Sequence, residues 1–143
     1  MLSFKQYNES RTKYGKEVRA ELAANSNNSC DPNKNICTLE VARGFAVENT
    51  VKYLHTYEDL LRAMRKKWKI KSSKTMLKFT SGKTSTKELR TLITKNGDPN
   101  ALAYIVYIKG HIMAMNKIGE DYVETSPNET KTKPVEKVWA VYS

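Results

Sequence analysis

The sequence predicts an α+β domain in which N-terminal helices pack on a C-terminal antiparallel sheet. Three observations point there. Up to residue 95 the apolar residues recur mainly at helical spacing. After Pro99 the period changes, and "ALAYIVYI" (101–108) is a continuous apolar run rich in β-branched and aromatic residues, the signature of a buried strand. Helices first and strands last is the order of an α+β fold, and 143 residues are enough for one domain with its own core.

Residues 1–34 form a loosely held helical segment followed by a polar loop. Phe4, Tyr7, Tyr14, Val18 and Leu22 make a rough apolar stripe broken by Gly15, and "NSNNSCDPNKN" (25–35) is a loop by composition. The α+β domain then spans 35–143. In "ICTLEVARGFAV" (36–47), Leu39, Ala42, Phe45 and Ala46 recur at helical spacing, and Asn35 is a suitable N-cap. Cys37 is thereby placed in the first turn of a buried helix. "TYEDLLRAMRKKW" (56–68) is a clearer amphipathic helix. Thr56 is its N-cap, Glu58 and Asp59 stand in the first turn, and Arg65, Lys66 and Lys67 stand in the last, as the helix dipole favours. "SGKTS" is a loop, and "STKELRTLITK" (85–95) a third helix ended by "NGDPN". "HIMAMN" and "DYVETS" follow as strands separated by "KIGE", and "PVEKVWAVYS" is a last strand after the polar loop "SPNETKTKP". Met113 and Met115 share one strand face, so one alternate pair belongs to the core.

Composition narrows the function. No apolar run reaches membrane-span length, and "MLSFKQYNES" has no apolar signal core, so a soluble protein made in a cytoplasm is expected, without a membrane partner. Cys30 and Cys37 form neither a disulfide framework nor a CxxC pair, and His55 and His111 offer no zinc spacing. Neither metal nor cofactor is expected. The net charge is +10, and all of the excess lies in residues 61–87. That stretch holds Arg62, Arg65, Lys66, Lys67, Lys69, Lys71, Lys74, Lys78, Lys83 and Lys87 and no acid. Such a block attracts phosphate or an acidic protein surface; the plainer account is a solvated helix end followed by a basic loop. Trp68, inside the block, is either packed or a stacking platform, and Trp139 reads as packing.

His111 has two readings. It is either a structural histidine at a strand start or a catalytic base. If the turn after its strand centres on Lys117–Gly119, His111 sits across from Glu124 or within one pair of it, close enough for the carboxylate to hold one imidazole nitrogen. Asp121 and Asn116 are alternative orienting groups. A thiol at a helix N-terminus has a lowered pKa, which favours Cys37 over Cys30 as the nucleophile of such a group. His55 reads as structural.

A helix-opening cysteine, then "GH" on a strand, then an acid on the partner strand, is the order found in papain-like cysteine peptidases. The segments "NICT", "TYEDLLRAM", "AYIVYIKGHIMAM" and "YVET" resemble small papain-like domains of tailed, T-even-like bacteriophages. The resemblance covers 35–143 loosely and 103–125 best. It implies a papain-like fold and a cysteine hydrolase, a peptidase, isopeptidase or acyl-transfer enzyme. In it Cys37 is the nucleophile, His111 the base, Glu124 the orienting acid and Asn35 an oxyanion donor. It also implies a peptide or protein substrate, a host protein among the candidates, and a location in the cytoplasm of an infected bacterium or in a virion. The chain departs from the pattern at Ile36, where Asp is usual, at Glu40, where a basic residue is usual, and at Glu124, where Asp is usual. The alternative is a non-catalytic phage protein that binds nucleic acid or an acidic host protein through the basic segment, with Arg62, Arg65, Lys66, Lys67, Lys69, Lys71 and Lys74 as contacts.

Overall fold

The structure is a computed structural model that describes residues 36–123 and 132–143. The N-terminal segment 1–34, with Cys30, lies outside the described residues. The fold is mixed α+β, built on an open five-stranded antiparallel sheet. In chain order it comprises α1 (Ile36–Gly44), α2 (Tyr57–Arg65), β1 (Lys69–Ser72), α3 (Lys74–Leu77), α4 (Thr86–Asn96), β2 (Ala103–Ile108), β3 (His111–Asn116), β4 (Asp121–Val123) and β5 (Lys137–Tyr142). The strand order is β1-β5-β2-β3-β4.

Helix α1 stops at Gly44, three residues before its expected end. Ala46 adopts a left-handed φ of 57°. The Val47 amide then bonds back to Ala42 O and the Ala46 amide to Arg43 O, at 2.9 and 3.0 Å. This pair of backward bonds closes a helix C-terminus and uses carbonyls that would otherwise be unsatisfied. Helix α2 begins at a reciprocal cap. Thr56 accepts from the Asp59 amide, and Asp59 accepts from the Thr56 amide. Its inward stripe of Leu60, Leu61, Ala63 and Met64 is buried; each large side chain among them contributes about 2 kcal/mol of apolar burial. Helix α4 is capped by Ser85, which accepts from the Glu88 amide at 3.1 Å, and it turns Thr86, Leu89 and Ile93 inward.

The sheet is covered on both faces, not only by the early helices. On one face α1 and α2 pack on Ala103, Ile105, Ile112, Ala114, Trp139 and Val141. On the other, Leu77, Leu89 and Ile93 from α3 and α4 pack on Tyr104, Val106, Met113, Met115 and Ala140. This explains why β2 and β3 read as apolar throughout: a strand buried on both sides has no polar phase. Two elements were not foreseen. The stretch expected to be a helix end and basic loop contains the edge strand β1 and the short helix α3. Lysine at alternate positions hides a strand from a reading based on hydrophobic period.

The β2–β3 hairpin turns through Lys109 and Gly110, and Gly110 has φ 76°. The β3–β4 register differs from the one expected. Ala114 pairs with Val123 and Met115 with Asp121, with an irregularity between them. The expected turn centre sets Met115 opposite Asp121, as observed, but would have set Ala114 opposite Tyr122. The extra residue is a β-bulge, which leaves Tyr122 free to turn toward α1, where its hydroxyl donates to Gly44 O.

Candidate functional site

Cys37 lies in the first turn of α1, 7% exposed, in the cluster that joins α1 to Ile105, Ile112 and Ala114. His111 opens β3 and is also 7% exposed. It pairs across the hairpin with Ile108 and stands two residues before Met113. The thiol belongs to the α1–α2 side of the sheet, and α1, which carries it, packs on β3, the strand that His111 opens. Asn35 and Glu124 lie outside the described residues.

The two alternative orienting groups are engaged elsewhere. Asn116 ends β3, roughly 16 Å along the strand from His111. Its Oδ1 accepts the Ile118 and Glu120 amides at 3.0 and 2.9 Å, and its Nδ2 donates to Glu120 Oε1 at 3.1 Å. It builds the turn. Asp121 accepts from Arg90 Nη2 at 2.6 Å.

The basic segment is displayed in full. Arg62, Arg65, Lys66, Lys67, Lys69, Lys71, Lys74, Lys78, Lys83 and Lys87 are all exposed. Arg62 pairs with Asp59 at 3.3 Å; the others have no ion pair among the described residues. The chain passes from α2 on one face, along the edge strand β1, to α3 and α4 on the other face. The ten charges thus follow it as a belt around the β1 edge.

Local structure accounts for part of that belt. Arg65, Lys66 and Lys67 stand at the C-terminus of α2, where the helix dipole favours cations. Lys69 and Lys71 lie on an edge strand, where charge discourages pairing with another chain. Lys78 and Lys87 run against local preference. Lys78 holds a left-handed φ of 59° at the end of α3, a conformation suited to glycine. Lys87 is the second residue of α4, at the positive end of the dipole.

Trp68 is partly buried and anchored. Its Nε1 donates to Phe45 O at 3.0 Å, and its ring meets Phe45 edge-on at 6.0 Å. Trp139 packs as expected, stacked on Tyr57 at 5.6 Å, with Tyr107 against the other ring at 4.5 Å. Lys137 joins this cluster. Its Nζ donates to the Tyr57 hydroxyl at 3.1 Å and sits 5.1 Å from the ring centre. The hydrogen bond to Tyr57 pushes the Lys137 pKa upward, so the ammonium is kept. Nothing in the sequence singled out Lys137; it is one charge at a strand start.

Among the described residues no cluster of His, Cys, Asp and Glu could hold a metal ion, and no helix is long and apolar enough to cross a membrane. Comparison of the chain with protein-family models, with curated proteins and with solved structures finds no match.

Proposed function

We propose that this protein is a polyanion-binding module that grips the phosphate backbone of nucleic acid through the Arg62–Lys87 belt. The observation that carries the reading is the display of ten cations with no intervening acid, all exposed. Lys78 and Lys87 strengthen it, because each is held where local structure would prefer another residue. Phosphate contacts of this kind are insensitive to base sequence, since they position without reading. The test is binding of duplex and single-stranded oligonucleotides by the full chain at two salt concentrations. A belt that meets about five phosphates should lose about 500-fold in affinity between 50 and 200 mM salt, as counterions are released. Absence of binding at 50 mM salt would overturn the reading.

One observation favours a second reading, the papain-like thiol hydrolase. Cys37 stands in the first turn of a buried helix and precedes in the chain a buried histidine that opens a strand. In this reading Cys37 attacks an acyl carbon, and His111 takes the thiol proton and returns it to the leaving group. Glu124 orients His111, and Asn35 with the Cys37 amide holds the oxyanion. It ranks second because two of its four groups, Asn35 and Glu124, lie outside the described residues, whereas all ten cations of the belt lie within them. Alkylation of Cys37 across pH, in a Cys30→Ala background, decides. A thiol titrating well below about 8.5 would reverse the order of the two readings.

A further inference from the structure

Between α1 and α2 the chain crosses the surface as a loop pinned at several points. Val51 and Leu54 pack against the α1–α2 core. The Thr50 hydroxyl donates to Val47 O at 2.8 Å, and the His55 amide donates to Asp59 Oδ2 at 2.9 Å. Tyr53, between the two apolar anchors, points to solvent and is 57% exposed, the most of any large apolar side chain among the described residues. Its hydroxyl makes no hydrogen bond among them. The His55 ring lies 5.7 Å from the Tyr53 ring at an interplanar angle of 33°, and Lys52 Nζ lies 5.4 Å from the Tyr53 ring centre. The loop thus holds out an aromatic face that the core does not use, with a cation beside it. It adjoins the start of the belt. The Asp59 carboxylate that takes the His55 amide on one oxygen takes Arg62 Nη1 on the other, at 3.3 Å.

We infer that Tyr53, with the His55 ring beside it, is a stacking platform for an unpaired base, so that the nucleic acid gripped by the belt is single-stranded there. The inference rests on the nucleic-acid reading and names the form of its ligand. A base in a duplex keeps its faces on its neighbours, whereas a base in a single strand can offer one to an aromatic ring. Such a platform accepts any base, because every base has a π-face, just as phosphate contacts accept any sequence. Single exposed apolar side chains are common; Tyr53 differs in the ring and the cations gathered around it on a pinned loop. The cations that follow suit the backbone of the same strand. Arg62, Arg65 and Lys66 are three and four residues apart, which sets them on one stripe of α2 and its cap, and all are exposed. Arg62 spends one of its five N–H groups on Asp59. Glu58, exposed one turn before Arg62, is the opposing charge.

The test compares the affinity of the full chain for three probes at two salt concentrations: a single-stranded oligonucleotide, its duplex, and an abasic strand of the same length and charge. The wild type should bind the single strand more tightly than the abasic strand. Tyr53→Ala should weaken binding of the single strand about fivefold or more, the low end of what one base–aromatic stack contributes. It should leave the duplex and the abasic strand unaffected. Its salt slope should stay that of the wild type, since a stack releases no counterions. Tyr53→Phe should bind as the wild type does, which separates the ring from the hydroxyl. No loss with Tyr53→Ala, or an equal loss on all three probes, overturns the platform while the belt stands on its salt dependence. If no probe binds at 50 mM salt, the belt is overturned, and the platform falls with it.

Discussion

The two edges of the sheet are protected by different means. β4 is three residues long, bulged, and fastened from both sides. Arg90 of α4 donates to Gly119 O at 2.9 Å and to Asp121 at 2.6 Å, and Tyr122 reaches Gly44 of α1. Among the described residues β1 itself has no such side-chain bond, being tied only at its flanks by Trp68 to Phe45 O and by Ser73 to Val138 O; it carries Lys69 and Lys71, both exposed, on a four-residue strand. One edge is closed by side-chain bonds to both helical layers, the other by charge. The difference bears on function. Because Lys69 and Lys71 serve the edge itself, they are weak witnesses for a ligand. The lysines past β1, from Lys74 to Lys87, have no such local use.

The fastened edge should be the less tolerant. Gly119 sits at φ 81°, and a Cβ there would come within 2.7 Å of Arg90 O, backbone that α4 holds in place. Gly119→Ala adds left-handed strain to a contact that cannot relax, and should cost about 3 kcal/mol. Thermal unfolding should show a Tm lower by about 10 °C. A loss under about 1 kcal/mol would mean that the β3–β4 turn is not held against α4, and the contrast between the edges would fail.

Past β1, stability and binding should move in opposite directions. Lys78→Gly relieves a left-handed residue and Lys87→Glu places an acid in the first turn of α4, so together they should stabilise the fold by about 1 kcal/mol. The same pair should weaken nucleic-acid binding and lower its salt slope by about one to two. Chemical unfolding and a salt titration on the same variant give both numbers. If binding is unchanged, those two lysines have no ligand, and the belt shrinks to charges that the helix end and the edge already explain.

How much of this was legible follows from the kind of signal each element leaves. α2 was legible from Thr56, Asp59 and the charges of its ends, because capping and dipole chemistry are local. β2 and β3 were legible from their apolar runs, but the helical layer on the second face was not deduced from them, since an apolar run records burial and not what buries it. β1 was missed because Lys69 and Lys71 remove the polar-apolar contrast that marks a strand. The register of β4 was missed because a bulge is a matter of packing: Tyr122 turns toward Phe45 and Gly44, and no local residue announces it. For the candidate site, the belt could be counted directly from the sequence. Which residues of β3 meet which helical layer depended on the phase of the strand, which the residues of "HIMAMN", apolar on both sides, leave undetermined.

The smallest expected effect lies beside the charged edge. Tyr142 pairs with Lys69 in the ladder, has Lys71 Nζ 5.6 Å from its ring centre, and donates to Asp98 Oδ2 at 2.9 Å. Burial, then the bond to Asp98, pushes its pKa up to about 12. The folded phenol keeps its proton after the unfolded one has lost it near 10, so the bond stabilises the fold fully below pH 10 and is lost as pH rises toward 12. Tyr142 is half-buried at the rim of the sheet, and screening by the nearby solvent holds the effect below about 1 kcal/mol. Tyr142→Phe should therefore be slightly less stable than wild type at neutral pH and lose less between pH 10 and 12. Asp98 is held below its ordinary pKa by the Asn100 amide first and by Tyr142 second. The acid side of the profile should accordingly change little in the variant. Parallel alkaline profiles for the two proteins would mean that Tyr142 and Asp98 do not meet, and the strand beside β1 would then lack this tie.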